Sequence, residues 1–107
     1  MLGRRPFDLI YDVEVKTHLA AIEPRYHGLI RRTIEQQLSF QPDVETRNRK
    51  PLLGSVPFEA TWELRFGPDN RFRIFYAVSR ASREVYILAV GVKERNCLTI
   101  GREEVKI

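Results

Sequence analysis

Two strand-like runs, WELRF at Trp62–Phe66 and RFRIFYAV at Arg71–Val78, carry arginines at positions 65, 71 and 73. A solvated strand position accepts almost any polar residue, so the repeated choice needs a reason. Two other segments add cations: Arg47, Arg49 and Lys50 in RNRK, and Lys93 and Arg95 in GVKER. A guanidinium presents a planar fork of donors that matches phosphate or carboxylate oxygens, whereas a lysine ammonium is a compact charge able to carry a proton. Brought together on one concave surface, these side chains would grip a polyanion such as nucleic acid or an acidic protein. Each position taken alone also suits a solvated or ion-paired arginine, and Glu63 and Glu94 are at hand as partners.

The totals restrict what such a surface belongs to. A chain of 107 residues has room for one compact core, so residues 1–107 read as a single domain. Hydrophobic residues make up 43% and charged residues 30%, the balance of a folded soluble protein rather than a disordered tail. Lys and Arg outnumber Asp and Glu by 18 to 14, a net charge of +4 that leaves the placement of charge to decide the partner. No apolar run is long enough to cross a bilayer, and Asp8 and Asp12 interrupt the apolar stretch behind the first arginines, which argues against a signal peptide. Cys97 is the single cysteine and fits a reducing compartment; we expect the cytoplasm, with no metal site and no cofactor.

The elements that must position the cations follow from periodicity. Phe7–Val15 alternates as a first strand, with Phe7, Leu9, Tyr11 and Val13 on one face. A short helical segment, HLAAIE, follows Thr17. A longer helix is expected from Pro24 to about Phe40, because Tyr26, Ile30, Ile34 and Leu38 recur at i+4 and Pro42 closes it. Residues 43–57 read as a polar loop. Strands are then expected over Phe58–Phe66, Arg71–Ser79 and Glu84–Val92, joined by the short GPDN and RASR segments into an antiparallel meander, with a tail that is strand or frayed.

The order β-α-α-β-β-β predicts an α+β fold with two N-terminal helices on one face of an antiparallel-rich sheet. Alternation sends Trp62, Leu64 and Phe66, with Phe72, Ile74 and Tyr76, under the helices, and leaves Arg65, Arg71 and Arg73 on the other face beside Glu63 and Phe75. The apolar VYILAVGV strand looks central and delivers Lys93 and Arg95 to that face. His18 and His27 read as structural or surface residues, Cys97 as a partly buried apolar residue, and Tyr76 as core.

The order of elements together with FRIFY and the strand AVGVKER, whose glycine is followed by basic residues, resembles the RelE/ParE superfamily of bacterial type II toxin-antitoxin toxins, in particular its RelE/HigB-like members. The resemblance spans essentially the whole chain. It implies a RelE-like fold and a ribosome-dependent messenger-RNA endonuclease that inhibits translation. Arg73 matches the family arginine at the scissile phosphate, Arg65 falls where RelE-like enzymes carry a lysine, and Lys93 where they carry a basic residue after the glycine. Two positions depart from the pattern: Glu63 replaces another lysine, and Thr99 stands where a base-stacking tyrosine is found.

The implied chemistry needs no metal. The RNA 2′-OH attacks the adjacent phosphate, and the protein orients the strand, withdraws a proton, stabilises the phosphorane and protonates the leaving oxygen. On this reading Lys93 carries the proton, with Glu63 or Glu94 as alternative bases, and Arg65, Arg73 and Arg95 clamp the phosphate. Arg47, Arg49, Lys50 and Arg71 hold RNA through phosphates without reading sequence. The implied partners are a cognate antitoxin, the ribosome and messenger RNA. The same superfamily contains ParE-like inhibitors of DNA gyrase without nuclease residues, so a binding-only inhibitor is the alternative.

Overall fold

The computed structural model describes residues 5–54 and 58–106. Strand β1 (Asp8–Tyr11) leads into helix α1 (Val15–Ala20), then a 3-10 turn at Pro24–Tyr26 and helix α2 (His27–Leu38). Six strands follow: β2 (Arg49–Pro51), β3 (Trp62–Phe66), β4 (Phe72–Ser79), β5 (Glu84–Glu94), β6 (Cys97–Ile100) and β7 (Glu103–Val105). Strands β2 to β7 are hydrogen-bonded in sequence order as an antiparallel meander, while β1 joins β5 in parallel. The fold is α+β.

Helix α2 forms where the i+4 stripe requires it. Ile30, Ile34 and Leu38 are buried against Leu64, Phe66, Phe72, Ile74 and Tyr76 of the sheet. Tyr26 contributes from the turn before the helix, its ring 5.2 Å from that of Phe72. Both helices therefore share one sheet face, as the alternation predicts. The buried Tyr76 hydroxyl donates to the Pro42 carbonyl at 2.6 Å, fixing the exit from α2 to the sheet.

The first strand is shorter than expected. Its pairing with β5 ends at Tyr11–Ile87, after which the Asp12 carboxylate accepts the Glu14 amide at 2.9 Å and turns the chain, leaving Val13 81% exposed and Val15 buried in the helix. The polar loop contains a strand that composition hides, since β2 carries only Arg, Lys and Pro; its stretch at 55–57 lies outside the described residues. The tail is two strands, reversed by Gly101 and Arg102, both at positive φ.

Strand β5 is central. It pairs with β4 along one edge, and on the other with β1 through Glu84–Ile87 and β6 through Gly91–Glu94. A bulge at Leu88, opposite Phe75 and Tyr76, resets the alternation, so Val85, Ile87 and Val90 join the helix-side core while Leu88 and Ala89 face the other way. That is why the strand is apolar throughout. Phe75, Ala89, Leu98 and Ile100 build a second, smaller core on the face away from the helices, covered by Phe58 and by the β6–β7 hairpin. This hairpin closes one side of the surface on which the arginines emerge.

Candidate functional site

Beside the smaller core, the same face turns charged. In β3, Glu63 and Arg65 alternate with the buried Leu64 and Phe66; in β4, Arg73 alternates with Phe72 and Ile74. The ladder sets Arg65 directly opposite Arg73, and Arg73 directly opposite Gly91. Lys93, two residues on from Gly91, therefore emerges on the same side. Glu63, Arg65, Arg73 and Lys93 line one cavity of about 520 Å³, walled by Leu98 and Val105 of the hairpin and rimmed by Glu104 and Lys106.

Both arginines are held through backbone groups. Asn48 extends the β2–β3 ladder, its carbonyl accepting the Arg65 amide and its Nδ2 donating to the Arg65 carbonyl, both at 2.8 Å. Arg73 Nε donates to the Asn70 carbonyl at 2.9 Å, in a 3-10 turn that Gly67 opens with φ +85°. A Cβ on Gly67 would stand 2.5 Å from the Phe72 ring, so the turn can approach β4 only because that side chain is missing. Glu63 links the two arginines. Its Oε1 accepts from Arg65 Nε at 2.7 Å and its Oε2 from Arg73 Nη1 at 3.2 Å. The Glu63 and Arg73 side chains are 7% and 12% exposed, against 40% for Arg65.

Not every expected cation reaches this cavity. Arg49 is buried, and the phosphate-binding role expected of it is corrected: it pairs with Leu64 in the ladder and so points to the helix side. There its Nε donates to the Val44 carbonyl and its Nη1 to both the backbone and side-chain oxygens of Gln37. Lys50, one residue on, faces the opposite way, opposite Glu63, with its ammonium 3.6 Å from Glu45. Adjacent strand residues cannot both serve one face. Arg47 is exposed in the loop before β2.

Arg71 is also relocated. It caps the 3-10 turn in helical φ/ψ rather than extending β4, so strand alternation does not apply to it. Its guanidinium lies 5.7 Å from the ring centres of both Tyr26 and Phe72 and pairs with Glu94 at 3.1 Å. Arg95 occupies the β5–β6 turn at φ +55° and lines another, smaller depression of about 300 Å³ with Arg71 and Lys93. Lys93 is thus shared between two depressions, while Arg95 is absent from the one that holds Arg65 and Arg73.

Thr99, where the resemblance places a stacking tyrosine, pairs with Val92 and its hydroxyl donates to the Val92 carbonyl at 3.4 Å. Leu98 and Ile100 occupy the cavity side instead. No aromatic side chain lines the arginine cavity among the described residues. Cys97 is exposed, contrary to the expectation of partial burial, because it ends the β5–β6 ladder next to the turn.

The histidines are structural. His27 Nε2 lies 2.8 and 2.9 Å from the Leu19 and Ile22 carbonyls, tying α1 to α2. His18 Nδ1 accepts the Val90 amide at 3.2 Å. Lys106, Asn96 and Glu104 line the cavity and were not anticipated. The signal was the glycine in TIGREEV, flanked by apolar residues in alternation, which marks a hairpin folding the tail back.

No family model matches the sequence, and no curated protein matches it. A solved structure does. The chain superimposes on a chain of the RelBE2 toxin-antitoxin complex from Mycobacterium tuberculosis with a TM-score of 0.66 and 23% identity, covering 82% of this chain and 99% of that one. The two share a fold. The RelE-like architecture implied by FRIFY and AVGVKER is matched at that level, over nearly all of the RelBE2 chain. None of the described helices is long and apolar enough to cross a membrane.

Proposed function

We propose that this chain is the toxin of a type II toxin-antitoxin pair and that it cuts messenger RNA on the ribosome, in the cytoplasm, through attack of the RNA 2′-OH on the adjacent phosphate. The observation that carries the reading is the convergence of Arg65, Arg73 and Lys93 on one cavity, in a fold shared with a chain of a toxin-antitoxin complex. In-line attack builds charge on the nonbridging phosphate oxygens, and fixed donors aimed at that charge lower the barrier without reorganising at the moment of reaction. Arg73, locked by Asn70 and Glu63, supplies such a donor, and the more exposed Arg65 supplies a second. Lys93, exposed near the end of β5, carries the proton from the attacking 2′-OH to the leaving 5′ oxygen, leaving a cyclic phosphate and a 5′-OH. Lys50 and Arg47, outside the cavity, hold the strand through phosphates. The antitoxin would be an acidic or amphipathic segment covering the basic face.

The test is controlled expression in a bacterial host, with primer extension on several messages in the first minutes, for wild type, Arg73→Ala and Lys93→Ala. Discrete cuts inside translated regions that both substitutions abolish support the nuclease. Growth arrest with intact messages rejects it.

Two observations favour a second reading, a ParE-like inhibitor that binds DNA gyrase without catalysis. Glu63 pairs with both arginines and offsets half of their charge, and Thr99 faces away from the cavity where a stacking aromatic would be needed. Inhibition of gyrase supercoiling by the purified chain, with messages left intact, would establish that reading.

A further inference from the structure

Glu63 holds its two oxygens on two different guanidinium groups, at 2.7 Å and 3.2 Å. The two nonbridging oxygens of a phosphodiester would make the same pair of contacts. The site beside it is open, with about 520 Å³ of cavity and Lys93 on its wall. We infer that Glu63 is a built-in counter-anion occupying the phosphate seat, and that an RNA strand binds by exchange, its phosphate taking over the Arg65 and Arg73 forks from the carboxylate. The inference rests on the nuclease reading of this cavity.

Three features support the exchange. Arg65 and Arg73 are direct cross-strand partners, and like charges so placed repel unless an anion lies between them. Arg73 keeps the Asn70 carbonyl as an independent acceptor, so its fork stays aimed when Glu63 lets go. Glu63 is 5% exposed and anchored in β3, so it cannot leave the cavity after exchange. It remains beside the incoming phosphate and repels it. An isolated phosphate or free nucleotide gains too little to displace it. A strand whose neighbouring phosphates are held by Lys50 and Arg47 gains enough. Glu63 therefore selects polyanionic strands over small anions.

The exchange is tested with a fluorescent oligoribonucleotide carrying 2′-O-methyl groups throughout, so that it cannot be cut, titrated at several salt concentrations into wild type, Glu63→Gln and Arg73→Ala. Glu63→Gln should bind roughly tenfold tighter, the scale of a charge-assisted contact. Its dependence of log affinity on log salt should steepen by about 0.7, the increment for one phosphate on a single strand, because no displaced carboxylate remains to offset the phosphate seated between the arginines. Inorganic phosphate should raise the melting temperature of Glu63→Gln and leave that of wild type unmoved. If Glu63→Gln does not fold, Glu63→Asp, whose shorter carboxylate reaches one guanidinium at a time, should show the same changes at smaller size. Equal or weaker binding by the Glu63 variant, with Arg73→Ala still losing affinity, overturns the exchange and leaves the cavity as the RNA site. Undiminished binding by Arg73→Ala overturns both.

Discussion

Arg65 and Arg73 stand directly opposite each other across β3 and β4, held together by the single buried carboxylate of Glu63. Two like charges in a cross-strand pair destabilise a sheet, and one carboxylate between them reverses the sign of that contact. A function that needed only a stable sheet would be served by apolar residues at these positions, since replacing buried ion networks with well-packed apolar groups is often neutral or better for stability. The charged triad is retained at a cavity, where its cations meet solvent.

The two arginines should separate stability from activity. Arg73 is 12% exposed and bonded to both Glu63 and Asn70, so Arg73→Ala leaves a buried carboxylate with one partner and removes the donor to the Asn70 carbonyl. A loss of about 2 kcal/mol in unfolding free energy is expected by chemical denaturation. Arg65 is 40% exposed with one side-chain partner, and Arg65→Ala should cost less than about 1 kcal/mol. Both variants should lose cleavage. A larger stability cost for Arg65→Ala would contradict the geometry.

Arg49 provides the contrast within the RNRK loop. Its guanidinium satisfies three acceptors on Val44 and Gln37 beneath the sheet. Arg49→Ala should therefore lower stability by about 2–3 kcal/mol by leaving buried acceptors unpaired. The salt dependence of RNA binding by the folded fraction should be unchanged. Arg47→Ala should do the reverse, leaving the melting temperature alone and flattening the salt dependence.

The sequence carried the helix-side core almost completely, because Ile30, Ile34 and Leu38 repeat at helical spacing and Leu64, Phe66, Phe72, Ile74 and Tyr76 at strand spacing, and burial enforces both periods. The convergence of Arg65, Arg73 and Lys93 was legible for the same reason. What failed lay where periodicity has no purchase. Arg71 sits in a turn, Arg95 in a hairpin tip and Arg49 in a three-residue strand without an apolar residue, so nothing local fixes their direction. The second core depended on a bulge at Leu88 and on the folding back of β6 and β7, both consequences of tertiary pairing.

Gly91 tests how the β6–β7 hairpin shapes the cavity. It faces Arg73 across the ladder, and a Cβ there would lie 3.0 Å from Ile100 Cγ1, Leu98 Cδ1 and the Thr99 carbonyl oxygen. The backbone oxygen cannot turn aside as a side chain can, so Gly91→Ala should push β6 outward. A stability loss of about 1–3 kcal/mol is expected, the range for overpacking a core. Since Leu98 and Val105 wall the cavity, RNA binding should weaken with it. A stable variant with wild-type binding would show that the hairpin wall does not shape the site.

His18 gives the fold an acid-sensitive joint. Residues 88–90 of β5 lie in the gap between β1 and β6, so the Val90 amide has no strand partner on that edge and donates to His18 Nδ1 instead. An imidazolium cannot accept that bond. Burial holds the His18 pKa below its ordinary value of 6.5, opposed by the charges of Glu14 and Asp12. Glu59 and Glu103, from the far side of the same depression, add to the negative surroundings. Because the folded state binds the proton less readily than the unfolded chain, stability is fully present above the ordinary histidine value and is lost as pH falls through it toward the folded pKa. Denaturation at about pH 7.5 and about pH 5.5 should show wild type losing more stability than His18→Gln, whose side-chain oxygen still accepts the Val90 amide but does not titrate. Amide exchange at Val90 should accelerate at the lower pH in wild type alone. An equal loss in both proteins would place the acid sensitivity in the carboxylates and not in His18.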